Sequence, residues 1–226
     1  MLRRLDEGEV DAEAEDLESK KKMAVRLGRA AIAPTIRSLL QSVGGAAQLP
    51  KLIASAASGD FGPLATTTLT IRRSFLEAVS PGMFLAVAGA EDLPLTNAEE
   101  LARVSRDTFL GDYYFQQVRR VSTLMPLGKM PRDYREPLKS DAPTLLISGF
   151  LDPATPPAGG DEVARHLPNS LHVVVRNASH SYGGLSPCMD KIMAEFISRG
   201  AVEELDIACT KEVRRPPFVL PEKPKP

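Results

Sequence analysis

Two short apolar runs in the second half of the chain set the tightest limit on its fold. Pro143-Thr-Leu-Leu-Ile-Ser-Gly149 and Leu171 to Val175 are each bounded by turn-forming residues. Runs of this length without polar alternation are typical of strands buried on both faces, as in a parallel sheet. Parallel neighbours need a crossover. Pro157 to Leu167 supplies one, with Val163, Ala164 and Leu167 on a single helical face. After the second run comes the polar loop Arg176 to Gly184. Leu185, Met189, Ile192, Met193, Phe196 and Ile197 then recur at helical spacing up to Gly200. The order strand, helix, strand, helix predicts an α/β architecture with right-handed connections.

The first part of the chain reads differently. Residues 6–18 hold eight acids, which suggests a solvated helix face or a frayed terminus. Met23, Leu27, Ala30 and Ala31 suggest a helix that Pro34 interrupts. Ile36 to Val43 suggests a second one, stopped at Gly44-Gly45. Leu49 to Ala57 and Phe61 to Val79 also read as helices. Asn97 is placed to cap a helix over Ala98 to Leu110, with Glu100 three residues later as in a capping box. Only Met83 to Ala88 looks like a buried strand in this part. The expected organisation is a mainly helical region at 1–125, an α/β part at 126–210 and a Pro-rich tail at 211–226. The tail carries five prolines and is expected to be extended or disordered.

Composition removes several function classes. The chain has 28 basic and 29 acidic residues. Phosphate binding rests on a surplus of Lys and Arg, so nucleic acid is not expected as the main partner. No run of apolar residues is long enough to span a membrane. Two Cys and three His do not make a zinc finger or a disulfide-dense scaffold, and no metal or organic cofactor is expected. Trp is absent and aromatics make up 5%, which argues against an aromatic stacking platform. Only Leu5 separates Arg3-Arg4 from the acids that follow, without the apolar stretch of an export signal, and the localisation is left open.

Asp152 and His180 stand at equivalent places, each just beyond the end of one apolar run. In open parallel sheets, ligands meet the loops at the carboxyl ends of strands. Neighbouring strands lie about 4.8 Å apart, so an Asp and a His on adjacent strand ends are within reach of each other. A carboxylate that holds one imidazole nitrogen leaves the other free to take a proton. Taken singly, an Asp before a Pro is a common turn residue and a loop His is ordinary surface. The pairing with two successive strands points to an acid–base dyad. His166 and His172 read as structural or surface residues.

The stretch Pro143 to Pro157, with Gly149-Phe-Leu-Asp-Pro153 at its centre, resembles the tripeptidyl-aminopeptidase-like α/β-hydrolases, which include exopeptidases, proline-iminopeptidase relatives and esterases. Glu162-Val-Ala-Arg-His-Leu-Pro168, Asn177-Ala-Ser-His180, Cys188, Phe196-Ile-Ser-Arg-Gly200 and Asp206-Ile-Ala-Cys209 continue the likeness over residues 140–210. Upstream it is weaker, where Leu49-Pro50, Gly59-Asp60-Phe61 and Gly82-Met83 to Glu91-Asp92 resemble the cap and the strand after it. The resemblance implies a partial α/β-hydrolase fold, with a helical cap followed by the last strands and helices of a parallel sheet. It implies Asp152 as triad acid and His180 as general base. It offers Glu91 as a holder of a substrate amine, although by itself that residue reads as a structural acid or a strand-end cap. Relatives commonly carry a Cys just before the Glu-Asp pair, and Gly89-Ala90-Glu91-Asp92 has none. The resemblance also implies a disulfide between Cys188 and Cys209. From the residues alone, two buried small hydrophobes are an equal reading.

One motif of the family is missing. The family nucleophile is a Ser in G-x-S-x-G on a sharp strand-to-helix turn, and the sequence contains no such motif. The expected function is therefore a serine hydrolase of ester or short peptide substrates in which this chain contributes the cap, the acid and the His. The alternative is a non-catalytic interaction protein, or half of a split enzyme that self-associates or pairs with an N-terminal half. Ser148, Ser179 and Ser181 are the remaining candidates for a nucleophile near the dyad.

Overall fold

A computed structural model describes residues 1–180 and 187–221. The chain forms two compact units. One contains Met1–Ile36 and Lys51–Tyr134, the other Arg37–Pro50 and Arg135–Pro226. Residues 37–50, which by sequence belong to the helical region, thus cluster with the C-terminal part.

The first unit begins with a short helix α1 (Leu2–Glu7) and a β-hairpin of β1 (Val10–Glu15) and β2 (Lys22–Leu27). The hairpin corrects the helical reading of this acidic stretch. Val10, Ala12 and Ala14 alternate with Asp11, Glu13 and Glu15, and strands turn successive side chains to opposite faces. The partner strand answers in antiparallel register, with Ala14 opposite Met23 and Val10 opposite Leu27. Ala14 and Leu27 are buried. The Glu15 amide donates to Thr66 Oγ1 at 2.9 Å, which ties β1 to the helix that carries Thr66.

Helices follow: α2 (Arg29–Leu40), α3 (Val43–Ser58), α4 (Gly62–Ala78), α5 (Pro81–Glu91), α6 (Ala98–Ser105) and α7 (Tyr113–Ser122). Two breaks expected from sequence do not occur. Helix α2 runs through Pro34, since burial of Ile32, Ala33 and Ile36 outweighs the one backbone bond that a proline removes. Gly44 and Gly45 open α3 instead of ending a helix. The Met83 to Ala88 run is helical, not a strand. A short apolar run suits either state by periodicity, and Pro81 in the first turn favours the helix. Asn97 caps α6 as its sequence suggests, its Oδ1 accepting from the amides of Glu99 and Glu100 at 3.0 and 2.9 Å.

In the second unit, β3 (Thr144–Gly149), α8 (Pro157–Ala164), β4 (Ser170–Val175) and α9 (Cys188–Arg199) follow in order. The two strands pair in parallel, from Thr144 opposite Ser170 to Gly149 opposite Val175. Their core contains Val173, Val175, Ala178, Cys188, Met189, Ile192 and Val213, with Leu145, Ile147, Leu171 and Ile207 packed against it. Cys188, at the start of α9, is joined to Cys209 by a disulfide. After Glu212 the described tail is irregular. The Val219 amide donates to the Ala47 carbonyl at 2.8 Å, so the tail is fastened to the 37–50 segment. Among the described residues the parallel sheet has these two strands only. The architecture is α/β.

Candidate active site

The parallel register puts the ends of β3 and β4 side by side, and the loops that leave them stay in contact. The Phe150 amide donates to Val175 O and the Leu151 amide to Ala178 O, both at 3.0 Å. Gly149 makes the crossing possible. A Cβ at that position would lie 2.2 Å from Ser179 O and 2.8 Å from Ala178 C, and backbone atoms cannot swing aside. Ser179 is buried, with its hydroxyl directed to Leu40 O at 2.6 Å and Leu151 O at 3.2 Å. Asn177 Nδ2 donates to Val213 O at 2.9 Å. The residues that lead into His180 are therefore fixed.

At the end of β3, Asp152 turns its carboxylate into its own loop. Oδ1 accepts from the amides of Ala154 and Thr155 at 2.7 and 3.0 Å, the self-capping turn that Asp favours. Oδ2 accepts from the Thr155 hydroxyl at 2.7 Å. His180 Nδ1 stands 2.9 Å from the same Oδ2. The Asp152 side chain is 3% exposed and that of His180 45%. Burial works against the Asp152 charge, but the Thr155 and Ala154 amides, the Thr155 hydroxyl and His180 outweigh it and hold the carboxyl at about 2. An ionised carboxylate bound to one imidazole nitrogen is the arrangement that lets the other nitrogen receive a proton.

Residues 111–209 match the family model described as TAP-like protein. This stretch is consistent with the C-terminal portion of a TAP-like α/β-hydrolase, and it takes in Asp152, His180, Cys188 and Cys209. The match supports a hydrolase and the α/β-hydrolase fold. No curated protein and no solved structure matches the chain.

The other residues named from sequence lie in varied settings around this TAP-like segment. Glu91 is in the first unit at the end of α5, a helix and not the strand expected there. Its carboxylate accepts a hydrogen bond from the Tyr134 hydroxyl, and that bond raises the Tyr134 pKa. Ser179 is enclosed and engaged, as above. Ser181 lies outside the described residues. Ser148 contacts a different histidine: its Oγ is 2.8 Å from His172 Nε2, and His172 Nδ1 is 2.8 Å from Asp161 Oδ1.

This Ser148–His172–Asp161 chain has the connectivity of a catalytic triad but no room for a substrate. It lies between the sheet and α8, and the backbone of α8 closes over it. A Cβ on Gly160 would lie 2.5 Å from His172 Nε2 and 3.1 Å from Ser148 Oγ. The chain is a polar fastening of α8 to the sheet. By sequence His172 reads as a structural or surface residue; the strand register buries it and sets its partners. No sequence motif singles out Thr155. An Asp followed three residues later by a hydroxyl side chain was the available signal.

Proposed function

We propose that this chain contributes the acid and general base of a serine hydrolase acting on ester or peptide bonds. One observation carries the reading: the 2.9 Å contact of His180 Nδ1 with Asp152 Oδ2 at the ends of paired parallel strands. Its position inside the TAP-like match supports it. In the complete site a serine hydroxyl attacks the substrate carbonyl and His180 Nε2 takes its proton. The imidazolium, stabilised by Asp152, then returns that proton to the leaving alcohol or amine, and water releases the acyl group by the same route. The substrate class is a small ester or a short peptide, and the chemistry needs no metal or organic cofactor.

A second reading is half of a split enzyme, or an interaction protein on the same scaffold. It is favoured by the absence of G-x-S-x-G from the sequence and by the two-stranded parallel sheet among the described residues. An unpaired strand edge invites another chain. Labelling with a fluorophosphonate probe separates the readings. Labelling of the chain alone that is lost in His180→Ala supports a self-contained hydrolase. Labelling that requires a second polypeptide with a nucleophile elbow supports the split form. Labelling or hydrolysis unchanged by His180→Ala removes the acid–base assignment.

A further inference from the structure

We propose that Thr155 is a positioning residue that fixes His180 as the Nδ1–H tautomer, with its hydroxyl lodged between the Asp152 carboxylate and the imidazole. The proposal rests on the reading of Asp152 and His180 as acid and base, and it assigns the group that keeps the base ready.

The proton count around the site leaves one arrangement. Asp152 Oδ1 is occupied by two backbone amides. Asp152 Oδ2 faces Thr155 Oγ1 at 2.7 Å and His180 Nδ1 at 2.9 Å. An ionised carboxylate only accepts, so each contact needs a proton from the other side. The single hydroxyl proton of Thr155 is therefore spent on Asp152. Thr155 Oγ1 also lies 3.1 Å from His180 Nδ1. With its own proton committed, it faces that nitrogen as an acceptor. Nδ1 thus looks onto two acceptors, Asp152 Oδ2 and Thr155 Oγ1, and must carry the hydrogen. The lone pair is left on Nε2, the atom a general base uses.

The reverse tautomer is penalised twice. A bare Nδ1 would set its lone pair against Asp152 Oδ2. It would satisfy itself on the Thr155 hydroxyl only by taking that proton away from the carboxylate. Packing alone does not hold the ring, since nearly half of the His180 side chain is exposed. Hydrogen bonds must do so. Thr155 is well suited, because its backbone amide is already bound to Asp152 Oδ1 and its branched side chain has few rotamers to lose.

The test reads the tautomer directly, without activity. In the full chain with nitrogen-15 histidine, long-range nitrogen–proton correlations of the neutral His180 ring distinguish Nδ1–H from Nε2–H. The unaltered chain is expected to give the Nδ1–H pattern. Thr155→Val keeps the shape but removes donor and acceptor, and the Nε2–H population is expected to rise severalfold. Thr155→Ser is expected to restore the single form. A Thr155→Val protein with unchanged Nδ1–H overturns the role of Thr155 and leaves the Asp152–His180 pair intact. An Nε2–H pattern in the unaltered chain overturns the acid–base reading itself. Where Thr155→Val does not fold, three-bond couplings of Thr155 in the unaltered chain decide: one χ1 rotamer supports the proposal, and rotamer averaging overturns it.

Discussion

Gly149 and Ser179 meet so closely that a methyl group on Gly149 would lie 2.2 Å from the Ser179 carbonyl oxygen. The contact joins the end of the first parallel strand to the residue before His180. Gly149→Ala must therefore push the two loops apart. Overpacking of this kind costs about 1–3 kcal/mol, sometimes more. The expected outcome is a lower urea midpoint together with altered His180 ring resonances. Stability and ring signals both unchanged would contradict the close approach.

The Asp152 carboxyl is held at about 2, against 3.8 for a free side chain. A group whose pKa is depressed on folding gives stability that is whole above the unfolded value. That stability drains away as pH falls through the folded value. The window here runs from about pH 4 down to about pH 2, and the amount is about 2 kcal/mol. Asp152→Asn cannot titrate, so the stability difference between it and the unaltered chain should shrink across that window. Denaturant unfolding followed at several pH values measures it, and a constant difference would falsify the linkage.

Cys188 and Cys209 lie 5.7 Å apart at Cα and are bonded. They staple the start of α9 to the segment that follows Gly200. Closing a loop of this size in the unfolded chain is worth about 3 kcal/mol. Replacing both with Ala is expected to lower stability by that order and to loosen Val213, which shares their core. Mass spectrometry of the unreduced chain should return both cysteines in one linked peptide pair.

His172 sits with Nε2 on Ser148 and Nδ1 on Asp161. Ser148 is buried, whereas the Asp161 side chain is largely exposed. Ser148→Ala strips a buried imidazole nitrogen of its partner and should cost about 1–3 kcal/mol. Asp161→Asn leaves a group that still accepts and is wet, so its cost should be well under half of that. Equal losses in the two variants would contradict the burial difference.

Local rules made much of this architecture legible. Thr144–Gly149 and Ser170–Val175 could be read as strands because their apolar runs lack alternation and turns flank them. The α9 helix was legible in its spacing, the α6 cap in Asn97, and the Asp–His pairing in two residues that each follow a strand. The strand Val10–Glu15 is also written in the residues as an alternation of period two, but its acids equally suit a solvated helix face or a frayed terminus. Met83 to Ala88 reads as a strand in the sequence but is helical in the fold, because a short apolar run fits either state by periodicity.

What the sequence alone determined is the set of groups: a carboxylate and an imidazole after successive strands, two cysteines around one helix, and no G-x-S-x-G. Tertiary structure decided which of them touch. The register of β3 against β4 sends His172 to Ser148 and Asp161, while the loop crossing over Gly149 sends His180 to Asp152 and Thr155. His172 lies within β4 and His180 five residues beyond its end, and the two side chains carry the same chemistry. One is closed under the backbone of α8 and the other is half open to solvent, and that difference depends on how the crossover helix packs on the sheet, which no local pattern encodes.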